Sequence, residues 1–86
     1  MVLTLVLQHR YYDDIVSGRK RFEYRQKTPY WSNRLKKSYS QIRFIRGYTS
    51  TFTLFEFKSI EEEVITHPFF DNKPTPVFKI GIGRRL

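Results

Sequence analysis

The sequence predicts an α+β protein that is mainly β, a small β-barrel of about five strands with one or two short helices. Short runs of β-branched, aromatic and aliphatic residues recur between turn residues along the chain, which is typical of small barrels. The 86 residues fit one domain, 1–86, and eight Phe, six Tyr and one Trp can fill its thin core. Closing so small a sheet into a barrel would also remove its exposed edges.

The first two predicted elements are a strand and a helix. Val2–Leu7 is apolar with weak alternation, which indicates a largely buried first strand and not a signal peptide. Arg10–Ser17 predicts a short helix, because four apolar or aromatic residues share one helical face: Tyr11, Tyr12, Ile15 and Val16. Gly18 follows where a left-handed residue commonly ends a helix.

A second strand and a second short helix or turn come next. Arg19–Arg25 alternates between a charged face and an aromatic face. The charged face carries Arg21, Glu23 and Arg25, and the aromatic face carries Phe22 and Tyr24. Thr28 and Pro29 are suited to the cap and the first position of a helix that extends to Leu35.

The second half of the chain predicts three more strand segments. Gln41–Arg46 alternates as a strand, and Gly47 marks its turn. Thr51–Ile60 is a long strand in which the apolar parity changes, so either a β-bulge lies near Leu54 or both faces are buried. The remaining segments are a strand or helical turn, a loop and a last strand, over Glu61–Ile65, Thr66–Pro76 and Val77–Ile82.

Aromatic side chains are divided between a predicted core and a predicted surface. In a barrel this small most aromatic rings belong to the core. We assign six phenylalanines to it: Phe22, Phe44, Phe52, Phe55, Phe57 and Phe78. Tyr30 and Trp31 lie beside a turn between polar residues, so they are the better candidates for exposure.

The charge is concentrated in the first half of the chain. Residues 1–48 contain 11 Lys or Arg and 3 Asp or Glu, whereas residues 49–86 contain five of each. Such a basic region favours a polyanionic partner, although a protein that is merely basic would have the same composition. A membrane surface is less favoured, because the sequence has no long basic amphipathic helix and no apolar stretch of about 18–20 residues.

Several chemistries find no support in the composition. The chain has no Cys, which excludes disulfides, thiol nucleophiles and Cys-based zinc sites and favours the cytoplasm. His9 and His67 have no partner at metal-ligand spacing, so we predict no metal site. No phosphate-cradling glycine loop or other cofactor motif appears, so we predict no cofactor.

One segment carries a recognisable pattern. Gly18–Arg25 has the form G-x-K-x-x-E-x-R and directly follows the predicted first helix. This resembles the signature of the ASCH domains, a branch of the PUA-like β-barrel superfamily. The order of strand, helix, motif strand and Gln41–Arg46 strand is also similar over about residues 1–60. The resemblance implies a PUA-like barrel that binds RNA or modified bases.

The motif residues form the predicted binding site. Because Gly18 ends the helix, Lys20 emerges near a barrel rim, and Glu23 and Arg25 share a strand face. A Lys and an Arg can bind phosphate, and a Glu can orient them or accept a base N–H. Interleaved basic and aromatic residues suggest single-stranded nucleic acid. The candidates are Lys20, Arg21, Glu23, Arg25, Lys27, Tyr30, Trp31, Arg34, Lys36, Lys37, Arg43 and Arg46.

Three alternatives remain open at this point. Glu23 and Arg25 can be an ordinary ion pair on a solvated strand. The chain can be a small hydrolase, a ribonuclease or a nucleoside amidohydrolase, with Lys20 and Glu23 as the catalytic pair. A similar bacterial family removes the acetyl group from acetylated cytidine with a Thr nucleophile where this chain has Glu23, which argues against the same covalent mechanism. The chain can also be a phage or mobile-element accessory protein that blocks a nucleic-acid-handling complex.

Overall fold

Five strands and two short helices make up the computed structural model, which describes residues 1–86. The strands are β1 (Val2–Leu7), β2 (Phe22–Gln26), β3 (Gln41–Arg46), β4 (Phe52–Ile65) and β5 (Thr75–Arg85). The helices are α1 (His9–Val16) and α2 (Pro29–Arg34), and a 3₁₀ turn spans Pro68–Phe70. Neither α-helix has the length and apolar composition that crossing a membrane would take.

The five strands form one mixed sheet in the order β1-β3-β4-β5-β2. β1 and β3 are parallel, and every other neighbouring pair is antiparallel. This confirms a mainly β fold with five strands and two helices. β1 and β2 are the two edges, and no ladder joins them. The sheet is therefore not closed by hydrogen bonds, and the predicted barrel is not confirmed.

The core lies on one face of the sheet, where α1 packs. Alternate residues of β1 and β3 supply its centre, and Tyr12 and Ile15 of α1 cover it. The Tyr12 hydroxyl lies 2.5 Å from Thr53 Oγ1, which gives this buried polar pair a hydrogen bond. The core cluster comprises Leu3, Leu5, Leu7, Tyr12, Ile15, Leu35, Ile42, Phe44, Phe55, Phe78, Ile80 and Ile82.

The aromatic assignments are only partly correct. Phe44, Phe55 and Phe78 are buried, and Phe57 packs against the core from its margin. Phe22 and Phe52 do not belong to the core, since they are 37% and 52% exposed. Both point to the outer face of the sheet. Their strand neighbours Glu23 and Thr53 take the buried positions instead, because side chains alternate between the two faces of a strand.

The change of apolar parity in β4 reflects apolar side chains on both faces of the strand. Phe52 and Leu54 lie on the outer face, whereas Phe55 lies on the inner face, and the register with β3 is regular over these residues. The pairing of β4 with β5 shifts between Phe55 and Phe57 and again between Phe57 and Ser59. These irregularities follow Phe55, so they do not produce the change of parity between Leu54 and Phe55, which the predicted bulge near Leu54 was meant to explain. β4 continues as a strand to Ile65, so the helical turn that was one option for Glu61–Ile65 is wrong. β5 begins at Thr75, inside the predicted loop Thr66–Pro76.

Local sequence signals set the C-terminal end of α1 and the N-terminal end of α2. Gly18 adopts φ +83°, as predicted for a residue that ends α1. At α2, Thr28 Oγ1 accepts a hydrogen bond from the Trp31 backbone N–H at 3.3 Å, and Pro29 is the first helical residue. α1 therefore ends before β2 begins, and α2 begins shortly after β2 ends.

Candidate functional site

An open cleft of about 440 Å³ lies between the two edge strands of the sheet. Its walls come from the end of β1, the first turn of α1, β2, the start of α2 and the loop between β4 and β5. Segments distant in sequence therefore meet there. Lys20, Glu23 and Arg25 all line this cleft.

Glu23 connects the other two motif residues. Lys20 Nζ lies 2.8 Å from Glu23 Oε1, and Arg25 Nη2 lies 2.9 Å from Glu23 Oε2. The Glu23 side chain is only 8% exposed, and its two partners are partly buried. Both carboxylate oxygens are thus engaged, and the three side chains together carry one excess positive charge.

The inward position of Glu23 depends on these two ion pairs. A buried carboxylate is costly unless cations or hydrogen-bond donors compensate its charge. Glu23 and Arg25 lie opposite Ile80 and Phe78 of β5, so both side chains point toward the core side of the sheet. The charged face of β2 is therefore its inner face.

Two arginines bridge the gap between the edge strands. Arg34 Nη2 donates to the carbonyl oxygen of Thr4 at 2.6 Å, and Arg25 Nη2 makes a longer contact of 3.4 Å with the carbonyl oxygen of Val6. Their guanidinium carbons lie 5.1 and 5.0 Å from the centroid of the Trp31 ring. The two arginine side chains thus lie between β1 and β2, where no backbone hydrogen-bond ladder joins the two strands.

Aromatic rings form much of the cleft wall. Tyr11 of α1 and Trp31 of α2 both line it, and the Lys20 ammonium lies 5.0 Å from the centroid of the Tyr11 ring. Phe69 and Phe70 line it from the loop between β4 and β5, with their rings edge to face at 5.1 Å. Phe69 is 76% exposed although it is a large apolar residue.

The loop residues were missed by the sequence analysis, which assigned no role to Thr66–Pro76. Two adjacent phenylalanines in a proline-containing loop were the available signal, because contiguous exposed apolar surface commonly marks a binding site and binding residues are often on loops. The loop is held in place by His67, whose Nδ1 accepts a hydrogen bond from the Phe69 backbone N–H at 3.0 Å. The missed cleft residues also include Gln8 and Gln26.

Four of the twelve predicted binding residues line the cleft: Lys20, Glu23, Arg25 and Trp31. Arg34 lies behind Trp31 and is engaged with Thr4. Tyr30 is exposed, with its ring edge to face with Trp31 at 5.0 Å. Arg21, Lys36 and Lys37 are exposed and form no ion pair.

The remaining predicted cations lie away from the cleft. Lys27 pairs with Glu62 beside a second cleft, which Lys36 also lines. Arg43 lies over the Phe52 ring, with 5.4 Å between its guanidinium carbon and the ring centroid. Arg46 Nε lies 3.0 Å from Asp13 Oδ1 and thereby ties β3 to α1. The hydrogen bond from Arg46 lowers the pKa of Asp13 below its ordinary value.

The cleft therefore offers two oriented cations, a buried carboxylate and several aromatic rings. No group of three His, Cys, Asp or Glu side chains is arranged to hold a metal ion. Comparison of the chain with protein-family models, with curated proteins and with solved structures found no match.

Proposed function

We propose that this protein binds single-stranded nucleic acid, RNA foremost, and that the cleft holds one nucleotide of the strand. The observation that carries the proposal is the arrangement of Lys20 and Arg25, both held on Glu23 at 2.8 and 2.9 Å inside a cleft with aromatic walls. Cations that bind phosphate and rings that stack on bases are the usual elements of single-strand binding sites.

The size of the cleft fits a small unit of a polymer. Its volume of about 440 Å³ is within the range of roughly 300–1,000 Å³ that small-ligand pockets occupy. Gln8 and Gln26 on the cleft wall supply amide donors and acceptors for the edge of a base. A splayed-out base with its phosphate matches these dimensions and groups.

Glu23 acts in this proposal as a positioning residue. By accepting from Lys20 and Arg25 it fixes both cations before the ligand arrives, which reduces the entropy lost on binding. The excess positive charge of the three residues still attracts a phosphate. The protein's formal net charge of +8 supports a polyanionic ligand as well.

We extend the proposal to the fold, as an open PUA-like barrel of the ASCH type. The support is that the motif residues Lys20, Glu23 and Arg25 gather at the gap between β1 and β2, where Arg25 and Arg34 bridge the two edges. The resemblance to ASCH domains is also the reason for preferring RNA to DNA. The 2′-hydroxyl is the group that distinguishes the two.

The single tryptophan gives the proposal a direct test. Trp31 lines the cleft, so a base that enters should change its intrinsic fluorescence. We expect saturable quenching of Trp31 when mixed-sequence single-stranded RNA is added at low salt. Lys20→Gln and Arg25→Gln should each weaken binding by about 10- to 150-fold, the value of one charge-assisted hydrogen bond of about 1.5–3 kcal/mol.

Lys58→Gln is the matched control, because Lys58 is exposed on β4 and has no ion pair. This variant loses the same charge at a distance from the cleft, so its affinity for RNA should stay within about two-fold of that of the wild type. Circular dichroism verifies that each variant is folded. Unchanged affinity in both cleft variants would refute the proposed site.

The hydrolase alternative has less support from the geometry. A general base must contact the proton that it removes, directly or through one water, but the Glu23 side chain is only 8% exposed and each of its oxygens already accepts a hydrogen bond from Lys20 or Arg25. Mass spectrometry of RNA and acylated nucleosides after incubation with the protein tests this alternative. A product that disappears with Lys20→Ala and Glu23→Gln would establish catalysis in place of binding alone.

A further inference from the structure

We propose that the bound strand continues from the cleft over the outer face of β2, where Phe22 and Tyr24 stack on the neighbouring bases. This inference rests on the proposed function, because it extends the same ligand beyond the nucleotide in the cleft. It assigns a second binding surface to an edge strand whose aromatic residues do not contribute to the core.

Phe22 and Tyr24 present two rings on one exposed strand face. They are two residues apart in β2 and are 37% and 36% exposed. Residues so spaced on a strand lie roughly 7 Å apart on the same face. The residue paired with Phe22 in the neighbouring strand is Gly81, which has no side chain that could cover the ring. The Lys79 ammonium lies over the ring, 4.1 Å from its centroid, so the exposed remainder of the Phe22 ring is the part available for stacking.

Tyr24 connects this outer surface to the cleft. It is the one residue of the pair that also lines the cleft, together with Lys20 and Arg25. A strand with one base in the cleft can therefore pass Tyr24 and reach Phe22 without leaving the protein surface. Sheets with exposed aromatic residues bind RNA by this kind of consecutive stacking.

The charges around Phe22 indicate that stacking dominates there. Lys79 Nζ lies 4.1 Å from the Phe22 ring centroid, but it also pairs with Glu63 at 3.4 Å. Glu61 is the β4 partner of Lys79 in the ladder, so the local charge is nearly balanced. Arg21 is exposed and free of ion pairs, and it supplies one cation beside Phe22. Affinity at this surface should consequently depend little on salt.

The test compares a short and a long RNA on the same variants. Phe22→Leu keeps an apolar side chain but removes the ring, and Phe52→Leu is the control, an exposed phenylalanine on β4 outside both surfaces. The affinities for a trinucleotide and for an octanucleotide are measured by Trp31 fluorescence at two salt concentrations. Thermal unfolding of each variant is recorded beside them.

We expect Phe22→Leu to weaken octanucleotide binding by about five-fold or more, the loss of one stacked base. Trinucleotide binding should remain within about two-fold of wild type, because Phe22 is not part of the cleft. The salt dependence of the octanucleotide should be unchanged.

Either of two results would overturn this inference without overturning the proposed function. They are an octanucleotide that binds Phe22→Leu as tightly as wild type, and a wild-type protein that binds both lengths equally. In either case, binding that still requires Lys20 and Arg25 would leave the proposed function intact. The absence of any RNA binding by wild type would overturn both proposals.

Discussion

The guanidinium of Arg34 donates a hydrogen bond of 2.6 Å to the carbonyl oxygen of Thr4, on the free edge of β1. An exposed strand edge presents unpaired backbone groups that can pair with other chains. Arg34 satisfies one of these groups, and Arg25 approaches the next one, the carbonyl of Val6, at 3.4 Å. The two edges of the sheet can therefore stay apart, and the cleft occupies the space between them.

This arrangement predicts a structural role for Arg34. Arg34→Ala should lower the free energy of unfolding by about 1–3 kcal/mol, because it leaves the Thr4 carbonyl without its charged donor. Urea denaturation measures the change. Lys37→Ala is the control, since Lys37 is exposed without an ion pair, and it should change stability by less than about 0.5 kcal/mol. If Arg34→Ala instead lost RNA affinity at unchanged stability, Arg34 would be a phosphate contact.

Glu23 should be more important for stability than the other paired carboxylates. Glu23→Gln removes a buried charge that two cations share, and we expect a loss of about 1–3 kcal/mol, less than for a fully buried pair because Lys20 and Arg25 are partly exposed. Glu62→Gln breaks an exposed pair with Lys27 and should cost less than about 1 kcal/mol. Equal losses in the two variants, measured by urea denaturation, would contradict a special role for Glu23.

The link between α1 and β3 should weaken in acid. Since Arg46 holds the pKa of Asp13 below its ordinary value in the folded protein, the pair stabilises the fold above the unfolded pKa of about 3.9. That contribution is lost as the pH falls through the lower, folded pKa. In a titration followed by carboxyl NMR, Arg46→Gln should raise the pKa of Asp13. An unchanged pKa would contradict the role of the ion pair.

Phe69 should affect ligand affinity and leave the fold intact. It lies on the cleft wall and is largely exposed, so Phe69→Ala removes little buried surface. Loss of one stacking ring should weaken RNA binding by about 1–3 kcal/mol. Tyr48→Ala is the control, since Tyr48 is fully exposed and outside the cleft. Fluorescence titration and thermal unfolding of both variants separate affinity from stability, and wild-type affinity in Phe69→Ala would exclude stacking on this ring.

Local signals were sufficient to predict most secondary structure. Gly18 and the pair Thr28 and Pro29 act through backbone conformation and capping within a few residues, so their effects can be read from neighbours in sequence. The same holds for the alternation in Gln41–Arg46. Each of these elements lies in the structure close to where the sequence predicts it.

Which face of a strand is buried could not be predicted in the same way. Alternation in β2 separates Phe22 from Glu23, but hydrophobicity alone places the phenylalanine inside. The burial of Glu23 depends on its ion pairs with Lys20 and Arg25 in the folded chain. Phe69 and Arg34 illustrate the same limit, since their surroundings are formed by segments that are distant in sequence.

The salt dependence of RNA binding tests the central claim most directly. Each phosphate contact with a single strand contributes a slope of about −0.7 to the logarithm of the association constant against the logarithm of salt concentration. The double variant with Lys20→Gln and Arg25→Gln should have a slope about 0.7 to 1.4 less steep than that of the wild type. Lys58→Gln should have the wild-type slope. A wild-type slope near zero, or the same slope in the double variant, would contradict phosphate binding in this cleft.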